Sequence, residues 1–540
     1  MSDFDLIVIG GGHNGLTCGA YLAKAGLRVA VVEAGKTIGG GTRTDDLTAP
    51  GFRHNSCANF FIGLDASPVP RDLNLKSYGF SFAVPEVQQA FIYDDRTALI
   101  VEQDLEATIS SVARFSAADA ATWKKLHERL WRARPLFVSL AYNQLSEGGA
   151  ISAAALSQGI VTQALSDELQ TVRPMSPFAV IDKYFVDERI RVVFKKLVHV
   201  IQATDSPNFG SLFFGLFLNL TRMCMPLGGS QALGDALGKV IVENSGKVFT
   251  GQRVRKIDVD DGQAKGVELE SGTVLTASEA VAAAIDFPQM TSLTGVEHFP
   301  AEVVKKANSW DWTSAHSLVT LHLALSEPPS YLAANFDPKV ARAFNITFGV
   351  NNADELRRSM ADIAAGSFPS IPAGNGSCNS LFDSSYAPKG QHSAFWWPFA
   401  PYVVDGHETN WDSRREEYTK RLLKRWREFA PNLTENAIIG AHLRTPLDIA
   451  RENACMPYGS VRMGGYTADQ FGLTRPHPDM ADYRVRWIDR LYHCASTSPS
   501  GGGVNCAPGY NAARIIADDL GIDPWWPRMT LAYATELAGL

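Results

Sequence analysis

A G-x-G-x-x-G pattern near the N-terminus constrains the fold of this chain more than any other feature. Gly10, Gly12 and Gly15 supply its three glycines. The residues before them, Phe4–Ile9, are apolar and rich in branched side chains, which predicts a buried parallel strand. The residues after them, Leu16–Ala25, predict a helix. A strand, a glycine turn and a helix in this order are typical of a doubly wound α/β fold that binds a dinucleotide.

Each position of this motif has a physical role in holding a pyrophosphate. Gly10 permits the tight turn, Gly12 lets the backbone approach the ligand, and Gly15 lets the helix pack closely on the sheet. His13 and Asn14 fall at the N-terminus of the helix, where free N–H groups and the positive end of the dipole attract phosphate. All five residues are therefore predicted cofactor-binding residues.

Glu33 ends a second predicted strand, Leu27–Val32, and lies 18 residues after Gly15. A carboxylate at this position accepts hydrogen bonds from the ribose hydroxyls of the adenosine half. The same negative charge repels a 2′-phosphate, so the sequence excludes NADP as the bound nucleotide.

A second glycine cluster follows at Gly39–Thr44, and NAD binding does not require one. It resembles the G-G-x-x-R-T element of the large flavoprotein group that contains amine oxidases and carotenoid desaturases. The resemblance implies that Arg43 contacts the pyrophosphate of FAD, which suits a forked guanidinium. Gly40, Gly41 and Thr42 are predicted to bind the cofactor with it.

A third element lies in the middle of the chain. Met225–Ser230 precedes an apolar helix, and Lys247–Gly251 then leads to Val254. This order resembles the segment of the same flavoprotein group in which the backbone of a valine contacts adenine. The resemblance implies that role for Val254.

The C-terminal element, Leu491–Val504 followed by Ala507–Ala513, resembles the closing motif of phytoene desaturase-like flavoproteins. That family includes carotenoid ketolases and retinol saturase. A strand that runs into a glycine nest at a helix N-terminus would present N–H groups to the isoalloxazine and the ribityl chain. The predicted cofactor-binding residues here are Gly501, Gly502, Gly503, Val504 and Asn511.

Two positions depart from the relatives. Amine oxidases usually carry an acidic residue after the glycine of the closing strand, whereas this chain has Cys494–Ser496. This difference favours the desaturase-like branch over the amine oxidase branch. Ser500 stands where the first glycine of the P-G-G-G run is typical, so its backbone conformation is an open question.

The distance between these elements along the chain predicts a discontinuous, Rossmann-like FAD-binding domain of the amine oxidase/phytoene desaturase type, with an inserted α+β substrate domain. We assign residues 1–75, 225–295 and 485–530 to the FAD-binding domain. Residues 76–224 and 296–484 form the predicted substrate-binding domain.

The sequence offers no clear catalytic residue, because the flavin carries the difficult chemistry and a base helps only when a proton must also leave. His54 is the candidate acid/base, with a structural hydrogen-bonded histidine as the alternative. His316 and His322 have the even spacing of one strand face, as pocket lining or as ordinary packing. Four aromatic residues could line a cavity or belong to a core: Trp396, Trp397, Phe399 and Tyr402.

Composition excludes other classes of protein. The formal net charge is −7 with no basic block, which argues against nucleic-acid binding. Seven scattered cysteines, with no C-x-x-C pair, favour a reducing compartment and predict neither a zinc site nor a disulfide framework. Cys494 and Cys506 lie near the closing motif, as buried thiols or as a flavin-linking or redox pair. We expect no metal and a non-covalently bound FAD.

We expect a cytoplasmic protein, because the N-terminus carries acidic residues where a signal peptide carries basic ones. The apolar stretch Phe209–Leu218 is too short to span a membrane. It is predicted to be a core or substrate-channel helix, with a peripheral membrane contact as the alternative. The sequence leaves the oligomeric state open.

The leading hypothesis for function is an FAD-dependent dehydrogenase or desaturase that takes a hydride from a small apolar or aromatic organic substrate onto flavin N5. An amine or alcohol oxidase of the same superfamily that uses O2 is the first alternative, and O2, a quinone or another molecule could accept the electrons. A non-enzymatic escort protein for prenylated partners, which shares the fold but lacks FAD, is the distant alternative.

Overall fold

A computed structural model describes residues 2–200, 205–312 and 317–540 of the chain. Two large sheets dominate these residues. One is assembled from the two ends and the middle of the chain, and the other from the segments between them. His316 lies outside the described residues, so its predicted place on a strand face has no structural counterpart here.

The first sheet has seven strands, and five of them run parallel. From one edge, the parallel strands are Lys247–Phe249, Val29–Val32, Phe4–Ile9, Val274–Ala283 and Leu491–His493. The start of Val274–Ala283 also pairs with an antiparallel hairpin, Gln263–Leu269 and Val254–Asp260. The doubly wound fold predicted from the sequence is confirmed.

Helices cover the first sheet because its parallel strands are apolar on both faces. His13–Lys24 packs between Gln231–Glu243 and Ala507–Asp519 on one face. On the opposite face, strand residues such as Ile7 and Val281 pack against helix Phe287–Thr294. The sheet is therefore a three-layer sandwich, and its carboxyl ends remain free to build a site.

The second sheet has eight strands and is almost wholly antiparallel. Its strand order is Ile438–Arg444, Thr320–Leu325, His392–Ala400, Gly374–Ser377, Asn345–Phe348, Val87–Ile92 and Ala98–Glu102, with Ser317–Leu318 paired to the end of His392–Ala400. Asn345–Phe348 and Val87–Ile92 form its parallel pair. Two smaller sheets join the domains: Thr44–Asp46 with Arg53–Asn55, and Phe61–Ile62 with Met223–Pro226 and Phe82–Ala83.

The two faces of the second sheet differ in chemistry. One face is an apolar core that includes Leu321, Phe348 and Trp396 and is covered by helix Asn410–Phe429. The other face carries buried polar side chains between aromatic rings, because residues alternate between faces along each strand. Its members include Gln89, Asn345, Asn375, Trp397, Phe399 and His322.

The alternation corrects one expectation from the sequence. Trp396 stacks on Phe348 with ring centroids 4.6 Å apart, in the apolar core. Trp397 lies on the opposite face, 5.7 Å from the ring of Phe60. The aromatic residues of this strand therefore do not line one common cavity, because neighbouring side chains in a strand point to opposite faces.

The remaining helices surround the second sheet or join the two domains. Helix Leu212–Asn219, within the predicted apolar stretch, is buried among aromatic residues such as Phe194 and Trp123, so its core location is confirmed. No helix in the described ranges is both long and apolar enough to cross a bilayer. The other α-helices are Pro68–Asp72, Leu105–Ala113, Ala117–Arg132, Arg134–Ala141, Gly148–Ser157, Gln163–Val172, Pro177–Tyr184, Glu188–Val200, Ala301–Asn308, Ala353–Ala364, Pro446–Glu452 and Leu531–Ala538.

Candidate functional site

The N-terminal glycine turn has the geometry that pyrophosphate binding requires. Gly10 has φ +98°, which a residue with a side chain rarely adopts. A Cβ on Gly15 would lie 2.1 Å from the carbonyl oxygen of Gly10 and 2.8 Å from Cβ of Ala284. A Cβ on Gly12 would meet no protein atom within 4 Å. Gly15 therefore serves helix packing, and Gly12 presents an open backbone surface at the helix N-terminus.

Glu33 is held at the end of its strand by two backbone N–H groups. Gly11 donates to Oε2 at 2.7 Å, and Gly35 donates to Oε1 at 2.6 Å. The backbone N–H of Gln252 donates to the carbonyl oxygen of Glu33 at 2.9 Å, which brings the buried Val254 to the same edge of the sheet. The predicted ribose and adenine contacts thus lie side by side.

The second glycine cluster packs directly against the first. The N–H of Gly39 donates to the carbonyl of Gly11 at 2.7 Å, and a Cβ on Gly40 would lie 3.0 Å from Cα of Gly12. Thr42 is buried, and its hydroxyl donates to the carbonyl of Gly39 at 2.9 Å, so its side chain closes its own loop. The two glycine loops together form one continuous backbone surface.

Arg43 lies at the outer side of this surface with its guanidinium one third exposed. Nη2 contacts Asp45 at 3.1 Å, and Nη1 lies 3.6 Å from Glu452. Gly41 faces Met456, whose Cε would be 3.1 Å from an added Cβ. The phosphate role of Arg43 stays a prediction, in which a phosphate would share the guanidinium with these carboxylates.

The closing motif meets the N-terminal motif through direct side-chain contacts. Nε2 of His13 lies 3.1 Å from the carbonyl oxygen of Gly503, and the amide of Asn14 donates to Oγ of Ser496 at 3.3 Å. A Cβ on Gly509 would lie 2.1 Å from the carbonyl oxygen of Asn14. The helices that follow the two motifs therefore cross at a distance that only glycine permits.

Burial lowers the pKa of His13 to about 4, so its imidazole is neutral at physiological pH. A neutral Nε2–H donates to the Gly503 carbonyl without placing a second positive charge beside the helix N-terminus. His13 thus joins the two ends of the site and leaves the helix dipole as the local attraction for an anion.

The glycines of the closing motif are packed against the loop that contains Arg462. A Cβ on Gly502 would lie 2.5 Å from the Arg462 carbonyl oxygen. The Gly502 carbonyl accepts hydrogen bonds from Arg462 at 3.1 Å and from the Tyr466 hydroxyl at 3.0 Å. A Cβ on Gly501 would lie 3.0 Å from the same Tyr466 hydroxyl. Val504 follows, half-buried against the core of the first domain.

Ser500 adopts the conformation of the glycine that it replaces, with φ +70°. Its hydroxyl donates to the carbonyl of Ala141 at 3.0 Å, at the end of helix Arg134–Ala141. The amide of Asn511 donates to the same carbonyl at 3.1 Å and to the Tyr483 hydroxyl at 2.8 Å. Asn511 therefore anchors the substrate-domain helix to the closing helix, while its predicted cofactor contact stays a prediction.

Arg475 fixes the closing motif from below and was not predicted from the sequence as a site residue. Its fully buried guanidinium donates to the carbonyl oxygens of Ser496 at 2.8 Å, Gln470 at 2.9 Å and Met463 at 3.1 Å. Burial lowers its pKa to about 10, so it remains a cation. The charge lies directly behind the strand that leads into the glycine nest.

His54 is buried on strand Arg53–Asn55, and its Nε2 lies 2.8 Å from the Thr48 hydroxyl. Burial lowers its pKa to about 3, which weakens it as a base at neutral pH. Its ring lies 4.9 Å from that of His322, which is fully buried on the polar sheet face. The hydrogen bond to Thr48 supports the structural alternative for His54.

The cysteines provide no structural reason for a covalent link. Every cysteine is a free thiol, and Cys494 and Cys506 are fully buried. Burial raises the pKa of Cys506 to about 12, so its thiolate is scarce at neutral pH. Among the described residues, no group of histidine, cysteine or acidic side chains could hold a metal ion.

The residues present fit a flavin dinucleotide. Gly12 offers an open backbone face, the helix N-terminus lacks a side-chain cap, and Glu33 lies at the ribose position. The closing glycine nest meets this surface through His13. The fold and these contacts define the class of the protein, a dinucleotide-binding oxidoreductase with a separate substrate domain.

Comparison with known proteins identifies the family. The family model "Flavin containing amine oxidoreductase" matches residues 15–445, and the chain belongs to this family. The protein is accordingly a flavin-dependent oxidoreductase, of the phytoene desaturase-like type that the motifs indicate. This membership removes the escort-protein alternative.

The chain resembles several characterised or solved proteins over nearly its whole length. It is 27% identical to a limonene dehydrogenase polypeptide of Castellaniella defragrans, over 99% of this chain and 98% of that protein. It is also 27% identical to pyridine nucleotide-disulfide oxidoreductase domain-containing protein 2 of Rattus norvegicus, over 96% of this chain and 94% of that protein.

Solved structures show the same fold at lower identity. An oxidoreductase from Methanosarcina mazei has a TM-score of 0.62 at 17% identity and covers 95% of this chain and 99% of its own. Putrescine oxidase bound to putrescine has a TM-score of 0.59 at 15% identity and covers 96% of this chain and 99% of its own.

Proposed function

We propose that this protein is an FAD-dependent dehydrogenase that oxidises a small, largely apolar organic molecule. The observation that carries the proposal is the meeting of the two terminal motifs at His13 and Gly503, 3.1 Å apart, beside the open backbone face of Gly12. A bound flavin would supply a hydride acceptor at N5, and the chain would supply position, exclusion of water and electrostatics.

FAD, rather than a mononucleotide or NAD, is supported by the two adjoining glycine loops. The first loop and Glu33 suit an adenosine and a pyrophosphate, while the Gly39–Thr44 loop extends this surface past Gly12. The closing nest at Gly501–Gly503 lies at the other end, where an isoalloxazine would follow. Non-covalent binding is supported by the burial of Cys494 and Cys506.

The apolar character of the substrate is supported by the relatives and by the second sheet. The limonene dehydrogenase polypeptide matches nearly the whole chain, and its name denotes a hydrocarbon substrate. The sheet face that contains Trp397 and Phe399 offers aromatic surface near the loop of Val461. An apolar molecule held there would displace water from the reacting carbon.

The same proposal includes the division of the chain. Residues 1–75, 225–295 and 485–530 would bind the cofactor, and residues 76–224 and 296–484 would bind the substrate. We also propose a cytoplasmic location, with any membrane contact peripheral. The electron acceptor would be O2, a quinone or another molecule.

Absorption spectroscopy of the purified protein tests the cofactor. We expect oxidised-flavin bands, release of FAD into the supernatant after acid precipitation, and identification of FAD by its mass. The Gly12→Ala variant is the matched control and should be colourless while folded. A wild-type protein that stays colourless after incubation with FAD would refute the proposal.

Anaerobic addition of cyclic hydrocarbons, the corresponding alcohols and primary amines then tests the reaction class. Bleaching by a hydrocarbon or an alcohol supports the dehydrogenase. The oxidase alternative predicts bleaching by amines or alcohols followed by rapid peroxide formation in air. The similarity to putrescine oxidase bears on the fold and does not favour that alternative.

A further inference from the structure

A buried lysine in the substrate domain has no carboxylate partner among the described residues. Lys196 lies on helix Glu188–Val200 with 2% of its surface exposed. Its Nζ donates one hydrogen bond, to the carbonyl oxygen of Ala373 at 3.0 Å. An ammonium group has three hydrogens to donate, and burying it without a counter-charge is costly.

The neighbouring lysine shows how the same helix treats a structural cation. Lys195 is equally buried, but its Nζ lies 2.7 Å from the carboxylate of Asp182, which is partly exposed. The two adjacent lysines therefore differ in pairing rather than in depth. This contrast indicates that the charge of Lys196 is left available.

The surroundings of Lys196 belong to the polar face of the second sheet. Nζ lies 4.9 Å from the centre of the Phe399 ring, and the ring of His199 lies 4.3 Å from the same ring. One step along the sheet, Asn375 lies opposite Trp397. The lysine is thus at the edge of aromatic surface, where a ligand with an apolar body and a charged end would fit.

Polar atoms along this face are also left without partners in the described part of the chain. Oδ1 of Asn375 and Oγ of Ser377 are buried and accept or donate no hydrogen bond there. The amide of Asn375 donates to Asn345, whose own amide donates to Gln89, so the three side chains form a fixed row. A buried face built only for hydrocarbon would not require these groups.

The same face reaches the closing motif of the flavin site. Phe399 and Val461 belong to one apolar cluster, and Val461 also packs with Met463 and Ala495. Ala495 precedes Ser496, which receives the amide of Asn14. A ligand on Phe399 would therefore lie between Lys196 and the proposed flavin nest.

We propose that Lys196 binds a carboxylate at one end of the substrate, so that the substrate is an amphipathic acid with an apolar body rather than a pure hydrocarbon. This inference rests on the proposed function and specifies its substrate class. Lys196 is a binding residue in this role, since the hydride would leave from the apolar part of the molecule.

The titration of Lys196 is consistent with this role. Burial lowers its pKa to about 7, so the free protein holds the amine partly neutral at physiological pH. A bound carboxylate would favour the ammonium form and draw in a proton. Charged groups on the same and neighbouring helices have partners of their own or lie beside it: Asp182 with Lys195, Glu355 with Asn351, Asp362 with Ser370, and His199 on Phe399.

Binding of matched probe pairs to the flavin-loaded protein tests the proposal. The probes are octanoate, cyclohexaneacetate and 4-isopropylbenzoate, each compared with its amide, and the readout is the change in the flavin spectrum. We expect wild type to prefer at least one carboxylate by roughly tenfold or more. Lys196→Met should abolish this preference and retain flavin, whereas Lys195→Met, the matched control, should keep it.

Calorimetry in two buffers of different ionisation enthalpy gives a readout that does not depend on a variant. Carboxylate binding at about pH 8 should take up close to one proton, and the affinity should fall as the pH rises through 7. Absence of proton uptake, equal affinity for acids and amides, or failure of all three carboxylates to bind would overturn the proposal.

The outcomes separate this inference from the proposed function. A protein that holds FAD and is bleached by neutral donors, with no preference for carboxylates, overturns the role of Lys196 and leaves the dehydrogenase standing. A protein that binds no flavin refutes the proposed function itself, and the substrate role of Lys196 is refuted with it.

Discussion

Nε2 of His13 lies 3.1 Å from the carbonyl oxygen of Gly503, so residues 490 positions apart in the sequence meet in one site. His13 begins the first helix of the chain, and Gly503 ends the closing glycine nest. Burial lowers the pKa of His13 and keeps the imidazole neutral, and the contact satisfies a carbonyl that would otherwise face the interior. The proposed flavin site is therefore completed only when the two ends of the chain have folded together.

Substitution of two glycines in the first loop should separate folding from cofactor binding. We expect Gly12→Ala to change the free energy of unfolding of the apoprotein by less than about 0.5 kcal/mol, since its Cβ meets no protein atom within 4 Å. Its affinity for FAD should fall at least about tenfold, because the methyl group occupies the pyrophosphate face. Urea unfolding and fluorescence titration with FAD measure the two quantities.

Gly15→Ala is the contrasting variant in the same loop. Its Cβ would lie 2.1 Å from the Gly10 carbonyl oxygen, so the helix must move away from the sheet. We expect a loss of about 2 kcal/mol or more in stability, together with loss of FAD. Equal effects of the two substitutions on stability would contradict the different roles assigned to these glycines.

Ser500 should reveal the cost of a left-handed backbone in the closing motif. Ser500→Ala keeps φ near +70° and loses the hydroxyl bond to Ala141, so we expect a loss of about 1 kcal/mol in unfolding free energy. Ser500→Gly loses the same bond but relieves the backbone, and should be more stable than the alanine variant by about 1 kcal/mol. Thermal and urea unfolding of both variants provide the comparison, and the reverse order would contradict it.

Arg475 should be essential for the stability of the closing motif. Arg475→Met removes a guanidinium that donates to the carbonyls of Ser496, Gln470 and Met463, and leaves those oxygens buried without partners. We expect a loss of about 3 kcal/mol or more, and little rescue by lysine, which lacks the planar fork.

The control for Arg475 is Arg342→Met, which breaks an ion pair with Glu86 that is exposed on both sides. This variant should cost less than about 1 kcal/mol. Denaturant titration of both proteins measures the two losses. A loss at Arg475 no larger than that at Arg342 would show that the buried carbonyls find other donors.

Buried histidines should make the protein sensitive to acid. Burial lowers the pKa of His13 and His493 to about 4 and that of His54 to about 3, below the ordinary histidine value of 6.5. The unfolded chain therefore binds these protons first as the pH falls. Their contribution to stability should be fully present above about pH 6.5 and decline as the pH falls toward 4.

His54→Gln tests one contribution to this decline, since glutamine can still bond to Thr48. The slope of unfolding free energy against pH between about 6.5 and 4 should become smaller by one proton's worth. His407→Gln, at an exposed position, is the control and should leave the slope unchanged. An unchanged slope in the His54 variant would mean that this imidazole is already protonated in the folded protein.

The sequence alone was sufficient for the cofactor-binding fold, because the relevant signals are local. Gly10, Gly12 and Gly15 follow one strand and open one helix, so their roles depend on a few adjacent residues. The positive φ of Ser500 was also foreseeable as a question, since a serine stands at a glycine position. Glu33 lay at the predicted strand end for the same local reason.

The substrate face could not be predicted in the same way. Trp396 and Trp397 are neighbours in sequence, yet sheet register sends them to opposite faces, and the register depends on strands far away in the chain. The sequence signal for Lys196 was limited to two lysines within an apolar helix. Nothing in that pattern shows which of them has a carboxylate partner.

The sequence by itself thus determined the class of fold and the local geometry of each glycine loop, since strand, turn and helix propensities act over a few residues. Only the tertiary structure decided that His13 reaches Gly503, that Arg475 supports the closing motif, and that Lys196 is buried without a carboxylate among the described residues. Those relationships arise from packing between distant segments, where burial and hydrogen bonding depend on the whole fold.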